Sequence, residues 1–140
     1  MAINFYNEHI DFKLKNKSNL KRWIKQIIEL EKKTLGTINY IFTSDEELLQ
    51  KNIQFLNHNT LTDIITFDYC EEKQLNGDIF ISIERVTENS KKFTVTFEEE
   101  LHRVIIHGAL HLCGFKDKTK LDAETMRKKE NWALRKFNPL

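Results

Sequence analysis

The chain has 140 residues, 40% of them hydrophobic and 31% charged, with a formal net charge of +1. That balance excludes a disordered chain and fits one globular domain spanning residues 1–140. No apolar run reaches the roughly 18 residues a membrane span needs, and the near-neutral charge gives no global basic field for nucleic acid.

In chain order, AINFYN at 2–7 alternates apolar and polar and predicts a strand. Ser18 is placed to cap a helix running to about Thr34, with Leu20, Trp23, Ile24, Ile27 and Ile28 on one face and Gly36 as its stop. TINYIFT at 37–43 predicts a second strand, rich in β-branched and aromatic residues. Ser44 and Glu47 then form a capping box for a short helix carrying Leu48, Leu49, Ile53, Phe55 and Leu56. Strands are expected at 62–69 and 78–83, joined by a polar turn at Asn76-Gly77, an arrangement compatible with an antiparallel pair. A helix follows over about 84–92. Thr96 and Glu99 open another helix that runs to Cys113, where Gly114 closes it, and a last amphipathic helix covers about 121–137. The order predicts an α+β domain: one mixed sheet of four or five strands with about five helices packed over it.

Cys70 and Cys113 are far apart and in no CxxC spacing, which argues for a reducing compartment. The start of the chain has no charged segment followed by an apolar run, so no secretory signal is expected and the predicted setting is the cytoplasm. Two basic clusters stand out, one from Lys13 to Lys25 and one from Lys116 to Lys136. They read either as solvated helix faces or as contacts for a phosphate backbone.

The chemistry concentrates in VIIHGALHLCGFKD at 104–117. His107 and His111, four residues apart on a helix, project from one face and can reach one ion. Their neighbours are apolar, so the helix is expected to be central, and two imidazoles in such a setting need partners. Gly114 allows a left-handed turn that can return Asp117 to the histidines. Two nitrogens and one carboxylate leave a position open for water, the pattern of a catalytic zinc site, although nickel, cobalt or iron suits the same donors. The residue after His107 is Gly108, where zinc peptidases of the HExxH type carry their glutamate. Proteolysis is therefore disfavoured.

At these residues the chain resembles the YbeY endoribonuclease family, whose signature HGxLHLxGYDH reads HGALHLCGFKD at 107–117. LNHNTLTDIITF at 56–67 is similar to the family's LN…TDVLSF segment, and NGDIFIS at 76–82 to its GDI-hydrophobic-S strand. The resemblance implies a mixed sheet with the metal helix in the middle and one divalent ion, zinc by preference. It also implies single-strand-specific cleavage of RNA, a role in 3′-end maturation of 16S ribosomal RNA and ribosome quality control, and the small subunit as partner, with neither DNA nor a membrane involved. The alternative is a non-enzymatic ribosome assembly factor with a structural metal. Two departures bear on this. Asp117 stands where the family usually has a third histidine, and the arginine usual before the TD strand is missing between Asn57 and Phe67. His58 is the nearby candidate to replace it; Arg85 and Arg103 are others, Arg103 lying one turn before His107. The general acid and base are not assigned by the sequence.

Overall fold

A computed structural model describes residues 2–137. The order is β1 (Ala2–Asn7), α1 (Lys17–Leu30), β2 (Thr34–Thr43), α2 (Asp45–Leu56), β3 (Ile64–Asp68), β4 (Gln74–Ser82), α3 (Ile83–Lys92), α4 (Phe97–Leu112) and α5 (Lys120–Arg135). The α+β expectation holds, with four strands in the order β1-β2-β4-β3. β1 and β2, and β2 and β4, pair in parallel, while β3 and β4 form the antiparallel pair.

Helix α4 organises the core. Leu101, Val104, Ile105, Ile106, Ala109, Leu110 and Leu112 are all buried, so the helix is covered around most of its circumference. Gly108 explains how it lies so close to the sheet. A Cβ there would stand 3.0 Å from Ile79 and 3.1 Å from Ile64, so the small residue serves helix–sheet packing. Further along, the end of α4 presses Leu112 onto Gly77 of β4, where an added Cβ would meet a Leu112 methyl at 3.0 Å. The α1 stripe of Leu20, Trp23, Ile24, Ile27 and Ile28 is buried as its spacing predicts. Trp23 donates from its indole to the Ala133 carbonyl at 2.8 Å, tying α1 to α5.

Several boundaries differ from the sequence expectation. α1 starts at Lys17 after Asn16 in left-handed conformation, without a side-chain cap, so Ser18 lies inside the helix. It ends at Leu30, and Lys32, with φ 63°, makes the reversal. Gly36 stops no helix. It sits in β2 beside a register irregularity, where a Cβ would overlap the Leu75 carbonyl at 2.7 Å. Asn76-Gly77 likewise belongs to β4; the turn is earlier, where Glu71 and Gln74 exchange backbone hydrogen bonds and Glu72 takes φ 54°. In each case cross-strand crowding explains the glycine better than a turn does. The caps at Ser44 and Thr96 form as expected, each accepting from the backbone N–H three residues on.

Candidate metal centre

One face of α4 opens into a cleft of about 720 Å³, lined also by the segment entering β3, the end of α3, the loop after α4, and α5. His107, His111, Asp117, Arg103 and His58 all line it. Arg85 does not; it is held by Asp45 at 2.8 Å elsewhere on the surface.

The histidines are anchored in two different ways. His107 donates through Nδ1 to Glu130 Oε2 of α5 at 2.7 Å, and its Nε2 stands 3.3 Å from Asp117 Oδ2. The other oxygen of Glu130 accepts from Arg103 Nη1 at 2.9 Å, while Arg103 Nη2 donates to Asn131 Oδ1 at 2.9 Å. His111 donates through Nδ1 to the Phe115 carbonyl at 2.9 Å. That carbonyl is offered by the turn ending α4, where Phe115 N–H bonds the Leu110 carbonyl and Gly114 N–H the His111 carbonyl. These bonds form a Schellman closure, and Gly114 at φ 111° is the residue that permits it.

Both rings therefore use Nδ1 on a protein oxygen and leave Nε2 available. This is how metal-binding histidines are usually oriented. The donor chemistry fits a divalent ion. Two ligand atoms about 2.1 Å from a tetrahedral ion stand roughly 3.4 Å apart, close to the 3.3 Å between His107 Nε2 and Asp117 Oδ2. The three donors are not drawn into a closed cluster: among the described residues no group of three His, Cys, Asp or Glu meets that condition. Asp117, on the loop with its side chain 45% exposed, leans on the His107 ring.

The electrostatics favour a cation. The cleft gathers four carboxylates, Asp63, Glu100, Asp117 and Glu130, against three permanent cations, Arg103, Lys118 and Arg127. Burial works against the charge of His107, but the bonded Glu130, with Asp117 and Asp63 beyond, holds the imidazole above its ordinary range. Burial likewise opposes the charge of Glu130, yet its bonds to His107 and Arg103 keep it below the usual carboxylate range. Burial raises both Asp63 and Glu100. The two cysteines offer no competing thiolate, since burial pushes Cys70 up to about 11 and Cys113 to about 12.

Sequence reasoning missed Glu130. The signal was present: Met126, Glu130 and Ala133 share the buried stripe of α5, and a carboxylate at an otherwise apolar position calls for a partner. Arg127 belongs to the basic cluster read as a candidate phosphate contact, and Asp63 is a polar residue at the start of the third predicted strand that could orient a ligand histidine; both line the cleft. Glu100 as a cleft residue had no comparable signal, because elements distant in sequence bring it there.

A family model described as Endoribonuclease YbeY matches residues 3–138. A Flavobacterium johnsoniae protein of that name is 51% identical over 136 residues, covering 97% of both chains. A Bacteroides fragilis protein of the same name is 50% identical over 134 residues, covering 96% of both. Among solved structures, the solution structure of TM1509 from Thermotoga maritima superposes with a TM-score of 0.65 at 34% identity, covering 94% of this chain and 88% of that one.

Proposed function

The chain belongs to the YbeY endoribonuclease family, and from that premise we propose that it is a metal-dependent endoribonuclease that cuts single-stranded RNA. The observation that carries the metal reading is the pair of Nδ1 bonds, His107 to Glu130 and His111 to Phe115, which present both Nε2 atoms as donors. Asp117 supplies the third donor, and zinc is the ion the nitrogen–carboxylate set suits best. When bound, such an ion supplies Lewis acidity and a water whose pKa falls to around 7.

The chain's own residues do the rest. Glu130 fixes the His107 ring and its tautomer, and Arg103 keeps Glu130 ionised and in place. Arg103 is thereby committed to positioning. Lys118 and Arg127, the latter with a side chain 57% exposed, are the cations on the cleft wall suited to hold an RNA phosphate. Asp63 and Glu100, raised by burial, are the carboxyl groups in the cleft tuned toward exchanging a proton. Gly108 is filled against the sheet and leaves no room for the carboxylate a peptidase would need after His107.

The substrate we propose is ribosomal RNA of the small subunit, at its 3′ end during maturation and quality control, in the cytoplasm. Support for that assignment is the family membership alone. No helix among the described residues is long and apolar enough to cross a membrane.

The test is cleavage of a single-stranded RNA by purified protein, with metal analysis alongside. Wild type is expected to carry one ion per chain and to cut. His111→Ala is expected to lose both while still binding RNA. Full metal occupancy in Asp117→Ala would remove Asp117 from the ligand set. RNA binding with no cleavage by metal-loaded wild type would favour the non-enzymatic assembly factor.

A further inference from the structure

We propose that Phe93 and Leu56, on the rim of the cleft, form a stacking subsite for one unpaired nucleobase of the RNA, next to the phosphate that is cut. The inference rests on the endoribonuclease reading and adds a subsite for the base.

Large apolar side chains are exposed at a few places on this molecule, and one group of them gathers here. Phe93 is 51% exposed and Leu56 44%, and both line the same cleft as His107 and His111. Neither lies in the core. They reach the rim by the same device, a helix that ends in a left-handed residue. α2 ends at Leu56, and Asn57 follows with φ 55°. α3 ends at Lys92; Phe93 is its C-cap, and Thr94 follows with φ 56°.

The second turn is strained. Val95 N–H bonds the Ser90 carbonyl at 3.0 Å and Thr94 N–H the Lys91 carbonyl at 3.3 Å, a closure that normally carries glycine at the left-handed position. A β-branched residue at positive φ is an outlier, and such strain concentrates where a segment is held for function. Here it fixes the residue that carries an exposed aromatic ring to the cleft mouth.

Charge selects the occupant. Lys92 Nζ lies 5.7 Å from the centre of the Phe93 ring, and Lys118 and Arg127 line the cleft beside it. An apolar platform bordered by cations matches a base with its phosphates: Arg127, 3.8 Å from Glu130, keeps a side chain 57% exposed at the cleft and so within reach of a phosphate. A volume of about 720 Å³ is within the range of clefts that hold small ligands and suits a splayed nucleotide. A base can be stacked on a side chain only when it is free of its own helix. The subsite therefore gives a physical basis for preferring single strands.

The probe is a single-stranded 2′-O-methyl hexanucleotide carrying one 2-aminopurine, added to the metal-loaded full chain. Binding is followed by anisotropy of an end label and stacking by quenching of the 2-aminopurine. Wild type is expected to bind and quench. Phe93→Ala is expected to lose the quenching and weaken binding about tenfold, and Phe93→Trp to restore both. Phe55→Ala removes a ring that is 57% exposed but outside the cleft lining, and is expected to match wild type. Binding without quenching in wild type, or quenching retained in Phe93→Ala, overturns the proposal and leaves the rim to a protein partner. Equal affinity for a blunt duplex of the same sequence overturns it as well. Quenching without cleavage of ordinary RNA would keep the subsite and remove the nuclease reading; cleavage without quenching would do the reverse.

Discussion

His107 and His111 sit one turn apart on the same helix, yet they are held by opposite kinds of structure. His107 depends on a residue 23 positions away: Glu130 grips its Nδ1 from α5, and Arg103 grips Glu130 in turn. His111 depends on a residue four positions away, the Phe115 carbonyl presented by the Gly114 turn. One ring is oriented by the packing of two helices and a half-buried ion pair. The other is oriented by the backbone of its own helix end. Asp117 bridges the two regimes, since its position comes from the turn but its contact is with His107. A site built this way can lose one donor without the other, and that separation can be tested.

The largest expected effect is on the long-range half. Glu130→Ala leaves Arg103 without its carboxylate and His107 without its anchor, at an expected cost of about 3 kcal/mol, read by chemical denaturation. Glu130→Gln preserves shape and should lower metal affinity about 10- to 100-fold by calorimetry. Unchanged affinity in both variants would mean that the distant anchor does not orient His107.

The next effect falls on the local half. Gly114→Ala forces a side chain onto a backbone at φ 111° and should destabilise by roughly 2 kcal/mol. It should also disturb His111 more than His107, visible as unequal shifts of the two imidazole signals in an NMR spectrum. Equal shifts would erase the distinction between the halves.

A third variant acts on both together. Gly108→Ala drives a methyl against Ile79 and Ile64, an overpacking expected to cost about 1–2 kcal/mol. Because it displaces the helix as a body, both histidine signals should move.

The smallest effect is one of pH. Burial raises Glu100 above its ordinary value, with Asp63 adding to the shift and Arg103 and Arg127 opposing it. A carboxyl group raised in the folded state favours folding when protonated, and that contribution is lost as pH rises through the folded pKa. Glu100→Gln should therefore be more stable than wild type at pH 7 by chemical denaturation, with the gain vanishing below the unfolded carboxylate range. A gain that persisted at low pH would point to packing instead of ionisation.

The helix of the candidate site was legible almost to the residue. Its Thr96 cap, its apolar circumference, the four-residue spacing of the histidines and the Gly114 stop are local signals that local hydrogen bonding obeys. The misread positions, Gly36 and Gly77, share a cause. Glycine tolerates left-handed turns and also close approach of another strand or helix, and only the neighbour across the sheet tells which role applies. Gly36 meets Leu75 and Asn76, about 40 positions further on, and Gly77 meets Leu112 of the site helix and the Phe67 carbonyl of the paired strand.

By itself, then, the sequence determined the elements whose forces act within a few residues: the caps, the amphipathic stripes, the His107–His111 pair and the turn that returns Asp117. The tertiary structure decided the rest. It chose Glu130 as the anchor of His107, committed Arg103 to that anchor, buried Asp63 and Glu100, and brought Phe93 and Leu56 to one rim. Those choices depend on which helix faces hide from water against which strands, and such contacts join residues whose separation along the chain carries no trace of their meeting in space.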